Sequence, residues 1–142
     1  MQGGKASGST PWDRYVTMLT AKAVSGAAIL PVQPTGDQRK GLGFSQRGLS
    51  MKAPEAASLV EAIMNGKLHK DYVTVGGLQY IITTVGDSAY YGVGTSTQGN
   101  SGIIIVKRAR VCVLAVYAEP TTQAEAILHV HAFTDTFDAA AI

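Results

Sequence analysis

From residue 11 onward the apolar positions Trp12, Tyr15, Val16 and Leu19 recur at helical spacing and fall on one stripe. Thr10 offers a capping hydroxyl, Pro11 suits a first helical position and Asp13 stands three residues past the cap, so a helix is predicted to begin here. The run SGAAILPV (25–32) is short, apolar and partly β-branched, which predicts a strand. The Gly, Pro and charge of QPTGDQRKG (33–41) make a loop, longer than a tight turn, and LGFSQ (42–46) alternates as a partner strand. APEAASLVEAIMNG (53–66) opens on Pro, continues in helix formers and closes at Gly66; it predicts a helix with Leu59, Val60, Ile63 and Met64 facing inward.

From Asp71 the period changes to two. DYVTV and LQYIITTV flank Gly76 and Gly77, a hairpin signal. SAYYGVG (88–94), the loop TSTQGNS (95–101), GIIIVKR (102–108) and VCVLAVY (111–117) extend the meander. The last two strands are apolar throughout, as expected where both faces of a sheet are covered. Thr122 with Glu125 three residues later forms a second capping box, opening a terminal helix that reaches about Phe137. Strands gathered in a run rather than alternating with helices predict an α+β domain, here one domain over 11–142 behind a flexible tail at 1–10.

Charge narrows the partners. Twelve Lys and Arg against ten Asp and Glu leave a net +2, too little to imply nucleic acid, so any basic site must be local. MQGGKASGST has no apolar segment, so neither a signal peptide nor a membrane anchor is expected and the chain reads as cytoplasmic. The single cysteine, Cys112, lies inside an apolar strand, where a buried thiol is expected rather than a nucleophile.

Chemistry is sparse. GVG (92–94) lacks the third glycine of a nucleotide loop, since position 97 is Thr97. His129 and His131 are two apart, a spacing that sends them to different helix faces and disfavours a shared metal. Asp135 and Asp138 share a turn near the chain end, as a solvated face does. No catalytic constellation, metal or cofactor is expected, and a binding module remains.

Five segments in register then carry a resemblance: Trp12-Asp13-Arg14-Tyr15-Val16, AAI at 27–29, the GG-x-x-Y that starts at Gly76, SGIIIVKR at 101–108 and VLAVYAEPTT at 113–122. In order and spacing the chain resembles the profilin family. The resemblance implies an antiparallel sheet of about six to seven strands, with the N- and C-terminal helices packed together on one face and a further helix on the other. It implies a cytoskeleton-associated monomer that binds monomeric actin, promotes exchange of its nucleotide and docks proline-rich segments of formins and related assembly factors. For the polyproline groove it implies Trp12, Tyr15, Phe44, Phe133 and Phe137; broad aromatic faces bearing an N–H or O–H suit a rigid polyproline II ligand. Thr136 and Ile142 stand where the family often has aromatic or histidine side chains.

For the actin face the resemblance implies His69, Lys70, Gln79, Ile82, Thr84, Thr122, Gln123 and Glu125. The loop TSTQGNS, where the family commonly places Lys or Arg, has no charge. Two basic clusters, Lys107, Arg108 and Arg110, and Arg39, Lys40 and Arg47, are read either as solvated surface or as sites for a phosphoinositide headgroup. Two alternatives stand beside the actin reading. One is a profilin-fold peptide or phosphoinositide module without productive actin binding, which the uncharged loop favours; the other is a small hydrolase using His129 or His131.

Overall fold

The apolar alternation of the strands resolves into one sheet whose central strands are buried on both faces. The structure, a computed structural model, describes residues 13–21, 23–31, 45–66, 72–95, 101–108 and 111–139. The helices are α1 (Asp13–Leu19), α2 (Ala53–Met64) and α3 (Gln123–Ala139). The strands are β1 (Gly26–Pro31), β2 (Ser45–Arg47), β3 (Tyr72–Val75), β4 (Leu78–Val85), β5 (Ala89–Gly94), β6 (Ser101–Lys107) and β7 (Val111–Ala118). All seven pair antiparallel in the order β2-β1-β7-β6-β5-β4-β3. The α+β arrangement expected from the sequence is the one formed. No helix among the described residues is long and apolar enough to cross a membrane.

Alternation along each central strand divides the core in two. Ala27, Ile29, Ile104, Val106, Val113 and Ala115 pack beneath Val16 and Leu19 of α1 and Ala126 and Val130 of α3. Ala28, Leu30, Ile103, Ile105, Cys112 and Leu114 pack on the opposite face against Ala56, Leu59 and Ile63 of α2. This is why β6 and β7 read as unbroken apolar runs. On α2 the inward stripe is Ala56, Leu59, Val60 and Ile63. Met64, expected to face inward, is 41% exposed: it is the last residue of α2, followed by exposed Asn65 and Gly66, where the buried stripe has already ended at Ile63.

Local chemistry sets the turns. Gly76 and Gly77 both have positive φ, 61° and 86°, as a two-residue hairpin loop that follows the strand twist requires. Glu55 ties this turn to α2: one carboxylate oxygen accepts from Gly76 N at 3.0 Å and the other from Lys52 N at 3.4 Å. Gln46 pairs with the main chain of Met51 through both ends of its amide, at 2.9 and 3.1 Å, and so fixes the segment between β2 and α2. Thr122 and Glu125 form the expected capping box at the start of α3, with Thr122 N donating to Glu125 Oε1 at 3.0 Å and Glu125 N donating to Thr122 Oγ1 at 3.2 Å.

Gly102 lies opposite Tyr117, whose ring covers it; a β-carbon there would meet Tyr117 Oη and Cζ. Gly102→Ala is therefore expected to destabilise the fold by about 1–3 kcal/mol, the usual range for overpacking. Urea denaturation checks this; because the β-carbon would also stand 2.6 Å from the main-chain oxygen of Gly92, truncating Tyr117 to Ala should relieve only part of the added effect of the alanine.

Candidate functional site

α3 lies along the sheet and leaves a flank on either side. On the first it meets α1, where Tyr15 and Phe133 pack edge to face with ring centroids 6.2 Å apart and planes at 67°. Both rings are half-buried, on the periphery of the core that α1 and α3 share. The structure thus brings together two of the five aromatic residues expected in a proline groove. Trp12, Phe44 and the side chain of Phe137 lie outside the described residues; the backbone of α3 runs to Ala139.

On the second flank the sheet continues past the helix. Tyr72, Ile81, Val93, Gly102 and Tyr117 are successive cross-strand neighbours from the β3 edge to β7. Directly paired positions share a face, and Tyr117 belongs to the core under α1 and α3, so the whole row is on that face. Nearest the helix Tyr117 is buried; beyond it Val93 is 39% exposed, Ile81 half-buried and Tyr72, at the sheet edge, 57% exposed. Gln79 and Thr95 border the row on one side, with Thr95 N donating to Gln79 O at 3.1 Å. On the other side a β-bulge between Ile82 and Thr84 brings Thr84 opposite Tyr91. Tyr91 Oη lies 2.8 Å from His131 Nε2 of α3, the rings being nearly perpendicular. No residue of β3, β4 or β5 carries a charge.

The expected actin-facing residues divide accordingly. Gln79 and Thr84 are exposed on this open face. Thr122 and Glu125 are exposed at the start of α3, each engaged in the capping box. Gln123 hydrogen-bonds Tyr117, opposing the rise that burial imposes on the tyrosine pKa. Ile82 is a correction: at 1% exposure it belongs to the core under α2 and presents nothing to a partner. Period two puts Ile81 on the open face instead. His69 and Lys70 lie outside the described residues.

Sequence reasoning missed Tyr72, Ile81 and Val93. The signal for the first two was present, because a two-residue Gly-Gly loop pairs Val75 with Leu78 and hence Tyr72 with Ile81. A cleft of about 590 Å³ opens beside Gln79 at the strand ends, lined also by Leu49, Leu78, Thr95, Ser101 and Glu119.

The described basic positions do not form one site. Lys107 and Arg108 are neighbours at the end of β6. Arg47 pairs with Ala27, whereas Lys107 pairs with Cys112, the partner of Leu30. Two strands, β1 and β7, and three residues of register lie between Arg47 and Lys107, on the order of 15 Å or more along the sheet. Arg39, Lys40 and Arg110, together with the loop 33–41 and the tail 1–10, lie outside the described residues. His129 and His131 serve different partners, the first bonding the main-chain oxygen of Leu19 at 2.8 Å. Among the described residues no group of three or more His, Cys, Asp or Glu is placed to hold a metal.

The family model described as Profilin matches residues 10–142. Among solved structures, profilin IA of Acanthamoeba castellanii is 21% identical with a TM-score of 0.73, over 92% of this chain and 99% of that one. The profilin of Schizosaccharomyces pombe is 22% identical with a TM-score of 0.70 over the same shares. Mouse profilin IIa, solved in complex with a double repeat from the FH1 domain of mDia1, is 14% identical with a TM-score of 0.65, over 94% of this chain and all of that one. None of the curated proteins matches the sequence significantly.

Two measurements check this site. Ile82→Ala should destabilise the fold by about 2–5 kcal/mol and Ile81→Ala by under about 1.5 kcal/mol, as read by thermal denaturation. Burial pushes the Cys112 thiol up to about 12, with Lys107 opposing only in part. It should therefore resist alkylation by iodoacetamide at about pH 8 in the native protein and react once the protein is unfolded.

Proposed function

Since this chain belongs to the profilin family, we propose that it is a regulator of actin assembly that binds monomeric actin on the open sheet face and proline-rich segments between α1 and α3. The observation that carries the reading is the pairing of these two surfaces on opposite flanks of one helix. One is the row Tyr72–Ile81–Val93, bordered by Gln79 and Thr84; the other is the Tyr15–Phe133 pair. Ile81 takes the place that Ile82 cannot fill, and His69, Lys70, Thr122, Gln123 and Glu125 extend the actin contact beyond the row.

No bond is made or broken in such a role. An effect on actin-bound nucleotide would come from unequal affinity for different states of actin. The groove suits a polyproline II segment because its half-buried rings offer apolar faces to a ligand already extended in solution. The mouse relative bound to FH1 repeats supports a partner of the formin kind. Cytoplasmic, cytoskeleton-associated action follows from the same family reading.

A second reading has its own observation: β3, β4 and β5 lack charge, so the open face cannot steer an acidic partner by Coulomb attraction. In that reading the protein keeps the groove, and Lys107 with Arg108 holds an anionic phosphoinositide headgroup, without productive binding to actin.

Titration against fluorescent monomeric actin and against an oligoproline peptide distinguishes the two. Ile81→Asp should weaken actin binding by at least about tenfold, about 1.4 kcal/mol, while leaving the peptide affinity unchanged. Tyr15→Ala should do the reverse. Because β3, β4 and β5 carry no charge and the charges added to the contact, Lys70 and Glu125, are of opposite sign, its affinity should change less than about threefold between about 50 and about 300 mM salt. Oligoproline binding without actin binding in the wild-type protein would favour the second reading; binding of neither would overturn both.

A further inference from the structure

α1 is seven residues long, too short to persist without tertiary support. A helix end must find donors for its last carbonyls. Here Val16 O accepts from Thr20 N at 3.0 Å and from Thr20 Oγ1 at 2.9 Å, Thr17 O from Thr20 Oγ1 at 3.2 Å, and Met18 O from Ala21 N at 3.2 Å. The remaining carbonyl is that of Leu19, a residue with no exposed surface, and its oxygen lies 2.8 Å from His129 Nε2 on α3. A carbonyl only accepts, so the ring nitrogen donates and His129 carries its proton on Nε2.

The same two helices meet a second time at Tyr15 and Phe133. Stepping four residues back along α1 from Leu19 gives Tyr15, and stepping four forward along α3 from His129 gives Phe133. The two contacts are therefore successive turns of one antiparallel register. A slip by one helical turn, about 5.4 Å, would take Tyr15 out of reach of Phe133. The ring contact is apolar and broad, whereas the His129 bond is directional and has one geometry.

We propose that His129 is a positioning residue for the groove: its Nε2–H, bonded to Leu19 O, sets the register of α1 against α3 and so the separation of Tyr15 and Phe133. The inference rests on the reading of that groove as the proline-rich site. His129 itself need not touch the peptide.

The test compares wild type, His129→Ala and His129→Gln for binding to an oligoproline peptide and to monomeric actin. It also compares the nuclear Overhauser contact between the Tyr15 and Phe133 rings. Gln places an amide nitrogen at nearly the reach of Nε2 and is the conservative variant. His129→Ala should bind the peptide about three- to tenfold more weakly, the range expected for one lost hydrogen bond, and lose most of the ring-to-ring contact. His129→Gln should restore both, and actin affinity should be unchanged in either variant. Peptide affinity and ring contact unaltered in His129→Ala, or a Gln variant no better than Ala, would overturn the proposal.

If the wild-type protein does not bind oligoproline, the groove reading fails by itself, and the ring contact alone decides whether His129 sets the register. If His129→Ala does not fold, imidazole nitrogen shifts in the wild type decide. An Nε2-protonated ring with a slowly exchanging proton supports the proposal, and the Nδ1–H tautomer overturns it.

Discussion

β1 and β7 pair along the whole length of β1, Gly26 opposite Val116 through to Pro31 opposite Val111, and both faces of the sheet are organised around that seam. It joins a strand near the start of the chain to one near its end, so the helices flanking these strands arrive on the same side. The small side chains of Ala27 and Ala115 sit directly opposite one another in the seam, fully buried among residues of α1 and α3. On the other face Ala28 and Leu114 occupy the same place beneath α2. Closing so long a loop has an entropic cost, which the burial of apolar side chains on both faces of the central strands offsets.

α3 then divides what is left exposed. Its capping box fixes where it starts, and its two histidines fasten it on either flank, His129 to the end of α1 and His131 to Tyr91 of β5. One flank offers aromatic rings, the other an apolar row across three strands. A surface without charge recognises a partner through shape and desolvation rather than through long-range attraction, and that shifts the expected selectivity from association rate to complementarity.

Much of this was legible in the sequence. The Gly76–Gly77 loop, the unbroken apolar runs of β6 and β7 and the Thr122–Glu125 box each specified a local structure by a mechanism that tertiary context did not override. Ile82 went differently because it lies one residue from the open face, and in a strand a step of one reverses the side. Met64 went differently because it closes α2, where helical spacing still puts it on the stripe but the buried part of the helix has ended at Ile63. The bulge after Ile82 restores Thr84 to the open face and has no signature in local propensity, since it is a property of the pairing with β5. The roles of the histidines were equally hidden, because the acceptor for His129 is a main-chain oxygen far away in sequence.

The central claim is that one helix separates two surfaces that act at once, and simultaneous occupancy tests it most directly. Sedimentation of a labelled oligoproline peptide with the protein, in the absence and presence of saturating monomeric actin, would measure this. The account predicts a complex containing all three molecules, with the peptide affinity the same within about twofold, a coupling of under about 0.5 kcal/mol. Release of the peptide by actin would contradict it, since the two ligands would then share a surface that the fold is held to keep apart.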